Sequence, residues 1–330
     1  MRRVHARIVV LVATVGAVFW SVEAAAQEKS ADVTKRRQIY DEKADAKALV
    51  VSALKRAGRD QTNVLVMLGG NWCGWCHKLH DVFESQKEIR SLVRDEYELV
   101  MLDTQAPGTE ELMKSWQVET DKGVPYLVIL DSSGGLVTRQ ETGSLEEGDR
   151  HDPEKVKAFL TRHRAAPIAA SEVLKAGVAK AASEGKRVLL HFGAPWCGWC
   201  HRLDDFLARP EIARIVEKDY VEVKIDTDRM PGGDEVLANY RQGKDGGIPW
   251  MVILDAAGNA LVTSDGERGN VGYPVEAGEI AHFLTMLRKT AKRISEEEIA
   301  GVGRALERTA EEIKGSARGA VLTGAAEKDA

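Results

Sequence analysis

Trp72-Cys73-Gly74-Trp75-Cys76-His77 occurs a second time, 124 residues later, as Trp196-Cys197-Gly198-Trp199-Cys200-His201. These two stretches contain all four cysteines of the 330-residue chain. A Cys-x-x-Cys pair holds either a disulfide or two thiols, so its natural chemistry is two-electron redox. The same spelling, Cys-x-x-Cys-His, is also the attachment signature of a c-type haem. The motif alone leaves both readings open.

The duplication reaches well beyond the cysteines. Val64-Leu65-Val66 matches Val188-Leu189-Leu190 ahead of the motifs. Behind them, Gly123-Val124-Pro125-Tyr126 matches Gly247-Ile248-Pro249-Trp250, and Val128-Ile129-Leu130-Asp131 matches Val252-Ile253-Leu254-Asp255. Ala158-Phe159-Leu160-Thr161 matches His282-Phe283-Leu284-Thr285 at the same shift. Two copies are too few for a solenoid, and each is long enough to bury its own core.

One copy reads as helix over 44–57, strand over 64–68, the motif, and a helix through Ile89. A strand over 99–102, a helix over 110–117, strands over 126–130 and 136–138, and a closing helix over 156–163 follow. The second copy repeats the order over about 170–287, after a linker at 164–168 broken by Pro167. Each Cys-x-x-Cys therefore sits where a strand gives way to a helix. The positive end of that helix favours a thiolate, making the first cysteine the better nucleophile. The second, one turn inward, is placed to resolve a mixed disulfide.

With a strand, Trp-Cys-x-x-Cys, a helix, and an aliphatic-Pro before a strand pair, each copy resembles a thioredoxin domain. The resemblance covers about residues 40–163 and 170–290. It implies an α/β fold with two tandem thioredoxin-like domains, each a central mixed sheet flanked by helices. It implies that Cys73 and Cys197 attack while Cys76 and Cys200 resolve. It also implies that the Val124-Pro125 and Ile248-Pro249 bonds are cis, an isomer rare for any one X-Pro bond. Val124 and Ile248 would then lend backbone groups to an extended substrate segment.

The departures from the family pattern matter as much. Thioredoxins proper carry Gly-Pro between the cysteines, and both copies here carry Gly-Trp. That dipeptide bears on redox potential, which spans roughly −270 to −120 mV across such proteins. The buried Asp that thioredoxin places six residues before its first cysteine is Met67 in one copy and His191 in the other. His191 reads either as a proton relay or as a hydrogen-bonded core histidine. The two sites are therefore expected to be chemically unequal. His77 and His201 read as tuning thiol pKa or as packed first-turn residues. Trp72 and Trp196 read as an apolar collar for partners, and Trp75 and Trp199 as an exposed docking rim.

Three competing readings follow from the same residues. A dihaem cytochrome would use His77 and His201 as axial ligands, but gives no role to the strands or to Pro125 and Pro249. A zinc tetrathiolate would have to join cysteines from two complete copies. A binding or chaperone-like module with non-catalytic disulfides is the third, although so short a disulfide loop contributes little chain entropy. The dithiol reading needs no cofactor and no metal. Its partners are protein thiols or disulfides, with a further redox partner to recycle the sites.

The ends bound the compartment. Arg2, Arg3, His5 and Arg7 precede an apolar run from Ile8 to Trp20, and Ala24-Ala25-Ala26 follows. That is a signal-peptide layout, with cleavage expected after Ala26. The 13-residue run is short against the roughly 20 residues of a spanning helix. Export to the periplasm or secretion follows, into a compartment where disulfides persist. Cleavage removes three arginines and Glu23, taking the formal net charge from −5 to −7. Such mild acidity argues against nucleic acid, and no later stretch argues for membrane insertion. At the other end, Ser295 and Glu298 form a capping-box pattern ahead of an apolar stripe at Ile299, Val302, Leu306, Ala310 and Ile313. The expected division is signal peptide 1–26, first domain 27–166, second domain 167–292, C-terminal helix 293–314 and disordered tail 315–330. The helix is expected to dock on the second domain or on a partner.

Overall fold

The computed structural model describes residues 37–119, 123–243 and 246–326. The expected signal peptide lies outside them. Among the described residues, no helix is long and apolar enough to cross a membrane.

The first region opens with α1 (Ala46–Asp60), capped by the Asp45 side chain on Ala48 N. Next come β1 (Asn63–Gly69), α2 (Gly74–Ser85), α3 (Lys87–Glu96), β2 (Tyr97–Asp103) and α4 (Thr109–Ser115). β3 (Tyr126–Leu130), β4 (Leu136–Glu141), a short hairpin of β5 (Glu146–Glu147) and β6 (Arg150–His151), and α5 (Pro153–His163) complete it. The sheet order is β2-β1-β3-β4, with β1 parallel to β2 and antiparallel to β3. β1 is buried along its whole length, so its alternating side chains feed two cores. Leu65 and Met67 face α2, α3 and α5, while Val64, Val66 and Leu68 face α1.

The second region repeats the plan. It runs α6 (Ala170–Glu184), β7 (Arg187–Gly193), α7 (Gly198–Ala208), α8 (Pro210–Val216), β8 (Tyr220–Asp226) and α9 (Gly233–Arg241). Then come β9 (Trp250–Leu254), β10 (Ala260–Thr263), the hairpin of β11 (Asp265–Gly266) and β12 (Gly269–Asn270), and α10 (Ala277–Thr290). Its sheet order is β10-β9-β7-β8. Two mixed four-stranded sheets flanked by helices are thus present, as the resemblance implied.

The structure refines the expected elements in two places. The helix expected to run through Ile89 is broken at Gln86, whose backbone is extended (φ −84°, ψ 108°). In the second region Pro210 opens the next helix, where its missing N–H costs nothing. No proline marks the break in the first region, so the apolar pattern reads straight through it. The two hairpins were also missed, since two-residue strands show no periodicity.

The C-terminal helix α11 (Glu296–Ala326) docks on the second region. Ile299, Val302 and Leu306 join α10 residues Phe283, Met286 and Leu287 in one core. Ser295 and Glu298 cap it reciprocally: Ser295 N donates to Glu298 Oε2 at 3.0 Å, and Glu298 N to Ser295 Oγ at 3.3 Å. The helix continues past residue 314, where a disordered tail was expected, to Ala326. The stretch it crosses holds four alanines and three glycines, the best helix former and one of the poorest, so helix propensity alone does not account for the extension. Asp219 fixes the entry to this helix: its Oδ2 accepts from the N–H groups of Lys292, Arg293 and Ile294 at 2.7, 2.8 and 3.0 Å.

Candidate active site

Both motifs sit at a strand-to-helix junction. Cys73 is the N-cap of α2 and Cys197 the N-cap of α7. Each first sulfur accepts from the backbone N–H of the second cysteine, at 3.0 Å in one site and 3.1 Å in the other. The free amides and the dipole of a helix start favour negative charge on that sulfur. Both pairs are disulfides, with Cα atoms 5.2 Å apart. Cys76 and Cys200 lie at or below 2 % exposure, one turn behind their partners.

Val124-Pro125 and Ile248-Pro249 are both cis. Val124 O lies 3.4 Å from Cys73 Sγ, and Ile248 O lies 3.6 Å from Cys197 Sγ. In the second site this loop is pinned from behind. Arg241 donates to Gly246 O and Gly247 O, each at 2.6 Å, and Asn270 Nδ2 donates to Gly247 O and Pro249 O.

The tryptophans differ in exposure. Trp72 and Trp196, which precede Cys73 and Cys197, are 59 % and 63 % exposed. Trp196 donates from Nε1 to Asp228 at 2.6 Å. Trp199 is exposed and stacks near Tyr273. Trp75 departs from the expected exposed rim: it is only half-exposed, because the His151 ring meets it edge-on at 5.2 Å and Lys78 covers its face. The histidines that follow the motifs turn back toward the loop. His77 Nε2 lies 2.9 Å from Asn71 O, and His201 Nε2 lies 2.7 Å from Pro195 O.

The family follows from this geometry together with two matches. Residues 45–132 match the family described as thioredoxin-like, and residues 152–311 match Thioredox_DsbH, described as a protein of unknown function, DUF255. The chain belongs to the thioredoxin-like superfamily. Protein disulfide-isomerase erp38 of Neurospora crassa is 24 % identical over 214 residues, covering 59 % of this chain and 56 % of that protein. Human spermatogenesis-associated protein 20 is 33 % identical over 72 residues, which are 22 % of this chain and 9 % of that protein. The chain thus spans about half of the disulfide-isomerase relative and a small part of the human one. A solved disulphide isomerase from Xylella fastidiosa has 26 % identity and a TM-score of 0.35, covering 38 % of this chain and 96 % of that one.

What lies behind the second cysteine differs between the two thioredoxin-like sites. Gly69 and Gly193 end the strands beneath the motifs, and neither has a Cβ to fill the space there. At Gly69, a Cβ would sit 2.4 Å from Tyr40 Oη and 2.5 Å from Cys76 Sγ. At Gly193, it would sit 3.3 Å from Cys200 Sγ and 3.7 Å from Lys224 Cε. The first site therefore sets a phenol near Cys76, and the second the stem of a lysine near Cys200.

Tyr40 escaped the sequence reading because it precedes the first element of its region. Asn71 holds it: Oδ1 accepts from Ile39 N and Tyr40 N at 2.9 and 3.0 Å, and Nδ2 donates to Tyr40 O. Its hydroxyl is buried without a hydrogen-bond partner among the described residues. Burial, with Asp103 nearby, pushes the phenol far above its ordinary range.

Lys224 was missed for another reason. Met67 pairs with Met101 across β1–β2, while His191 pairs with Lys224 across β7–β8. The second strand of the second region is thus one residue closer to its motif, and a fixed shift of 124 compares Lys224 with the wrong position. In the correct frame, Met67, Leu99 and Met101 stand where His191, Glu222 and Lys224 stand. His191 is buried and donates from Nε2 to Glu222 Oε1 at 3.2 Å, which keeps that carboxyl below its usual range. His191 is thus a hydrogen-bonded core histidine that also belongs to a charged cluster.

Proposed function

We propose that this protein is an exported thiol–disulfide oxidoreductase that exchanges disulfides with protein substrates through both CGWC centres. The observation that carries this reading is the same at each site. An attacking sulfur lies on a helix N-cap, beside the carbonyl before a cis-proline, with a buried second cysteine behind it. The disulfide-isomerase relatives favour the same chemistry, and the signal-like residues 1–26 favour export. The β-sheet behind each motif, for which the haem reading had no role, favours the dithiol reading over it.

In the reducing direction, the Cys73 thiolate attacks one sulfur of a substrate disulfide. A Cys73–substrate bond forms, and the other substrate sulfur leaves as a thiolate that takes a proton. Cys76 then loses its proton, and its thiolate attacks Cys73 Sγ. The Cys73–Cys76 bond forms, and the remaining substrate thiolate leaves and is protonated. Two electrons pass from the dithiol to the substrate, and a partner dithiol restores the centre. The oxidising direction is the reverse. Cys197 and Cys200 take the same roles. Trp72 and Trp196 offer apolar surface, and Val124 and Ile248 offer backbone groups, to an extended segment.

The test is trapping. Cys76→Ser and Cys200→Ser, made separately, should each accumulate a mixed disulfide with the natural partner, cleavable by dithiothreitol. Capture by neither variant, together with native pairs that resist dithiothreitol, contradicts this function and favours a binding module with structural disulfides.

A further inference from the structure

We propose that Asp60, which belongs to the first region, is a positioning residue of the second redox centre: it anchors Lys224 behind Cys200 and so sets how readily that cysteine loses its proton. The inference rests on the thiol–disulfide reading above.

Lys224 is buried, and an unpaired buried ammonium costs several kcal/mol. Two carboxylates compensate it. Nζ lies 2.6 Å from Asp204 Oδ2 within its own region and 3.0 Å from Asp60 Oδ1 across the boundary. Asp60 is the last residue of α1, and the junction holds it firmly. Arg59 donates to its carboxylate at 2.8 Å and to Asp204 O at 3.3 Å. Arg229, just after β8, donates to Asp60 O at 3.0 Å and bridges to Glu96 at 2.8 Å. Lys224 and Arg59 hold the Asp60 carboxyl well below its ordinary range.

The cluster meets the chemistry through Asp204. It lies one turn after Cys200 on α7, and helical side chains lean toward the N-terminus, hence toward that sulfur. Its Oδ1 accepts no hydrogen bond among the described residues, although the residue is 2 % exposed. When a substrate is bound to Cys197, Cys200 loses its proton to water within the field of this cluster. The Cys200 thiolate attacks Cys197 Sγ, the Cys197–substrate bond breaks, and the departing thiolate takes a proton from water. The charged and titratable groups facing this step are His191 from β7, Glu222, Lys224 and Asp226 from β8, Asp204 from α7, and Arg59 and Asp60 from α1.

Asp60→Asn removes one negative charge while keeping the shape. The field at Cys200 becomes more positive, the thiolate form gains, and the second pair becomes the stronger oxidant. The experiment is a glutathione redox titration of the full chain, with differential alkylation and peptide mass reading each pair separately. The expected result is a shift of about tenfold in the equilibrium constant of Cys197–Cys200, about 30 mV upward. Cys73–Cys76 in the same molecules stays put, and Asp60→Glu returns to within about threefold of wild type. Arg59→Gln removes a positive charge and moves the second pair the opposite way, which decides the matter even if Asp60→Asn fails to fold. An unmoved second pair, equal movement of both pairs, or Asp60→Glu behaving as Asp60→Asn overturns the inference while leaving the function standing. Wild-type pairs that both resist exchange overturn the proposed function and this inference with it.

Discussion

The two CGWC centres share their backbone and differ in what stands behind it. Each has a cysteine N-cap, the carbonyl of the residue before a cis-proline within 3.6 Å of the first sulfur, and a glycine that opens space beside the second. In the first, that space holds Tyr40, and the surroundings are Met67, Leu99 and Met101. His80, the counterpart of Asp204, is kept below its usual pKa by burial and by Arg37. In the second, the space holds Lys224 among Asp204, Glu222 and His191. A buried thiol in apolar surroundings resists ionisation, while a nearby ammonium promotes it. The four motif residues are the same in both centres, so a difference in proton chemistry between them has to come from these surrounding groups.

The largest expected effect comes from making the second centre resemble the first. Lys224→Met takes the ammonium from the buried Asp204 carboxylate and leaves Asp60 with Arg59 alone, so unfolding free energy should drop by about 3–5 kcal/mol in a urea titration. A drop below about 1 kcal/mol would mean that the cluster is not held as described.

A smaller effect separates the regions at the residue before their second strands. Glu96 there binds Arg229 across the boundary, whereas Asp219 holds the start of the C-terminal helix. Asp219→Asn should cost about 1–3 kcal/mol near neutral pH. The three amide donors keep the Asp219 carboxyl below its ordinary value of 3.8. Its ionised form therefore stabilises the fold above about pH 4, and that contribution fades as pH falls through the folded-state value. Wild type and variant should converge in acid, and a gap unchanged between pH 7 and pH 3 would remove the carboxylate from the account.

The smallest effect on stability belongs to Tyr40. Its hydroxyl has no partner in the disulfide form among the described residues, so Tyr40→Phe should change stability by under about 1 kcal/mol. It should still move the redox midpoint of Cys73–Cys76 alone, because the hydroxyl can donate to the Cys76 thiolate once the pair is reduced. Movement of Cys197–Cys200 instead would break the assignment of Tyr40 to the first centre.

The parts that repeat locally were legible in the sequence. The strand before each motif, the X-Pro pairs, and the stripe from Ile299 to Ile313 all have a pattern that packing enforces. The groups that distinguish the centres have none. Tyr40 reaches its sulfur through a loop ordered by Asn71. Lys224 hides behind a one-residue difference in spacing. The Asp60–Lys224 pair joins residues of different regions, and charge pairing between regions leaves no period to read. Met67 and His191 did signal inequality, and they proved to be one position of a larger exchange of apolar for charged groups.

The most direct test of that inequality is the pair of redox midpoints in the unaltered chain, with each disulfide followed separately through one glutathione titration. Two midpoints separated by at least about tenfold in equilibrium constant, roughly 30 mV, are predicted, with Cys197–Cys200 the stronger oxidant. Coincident midpoints, or the reverse order, would contradict the account.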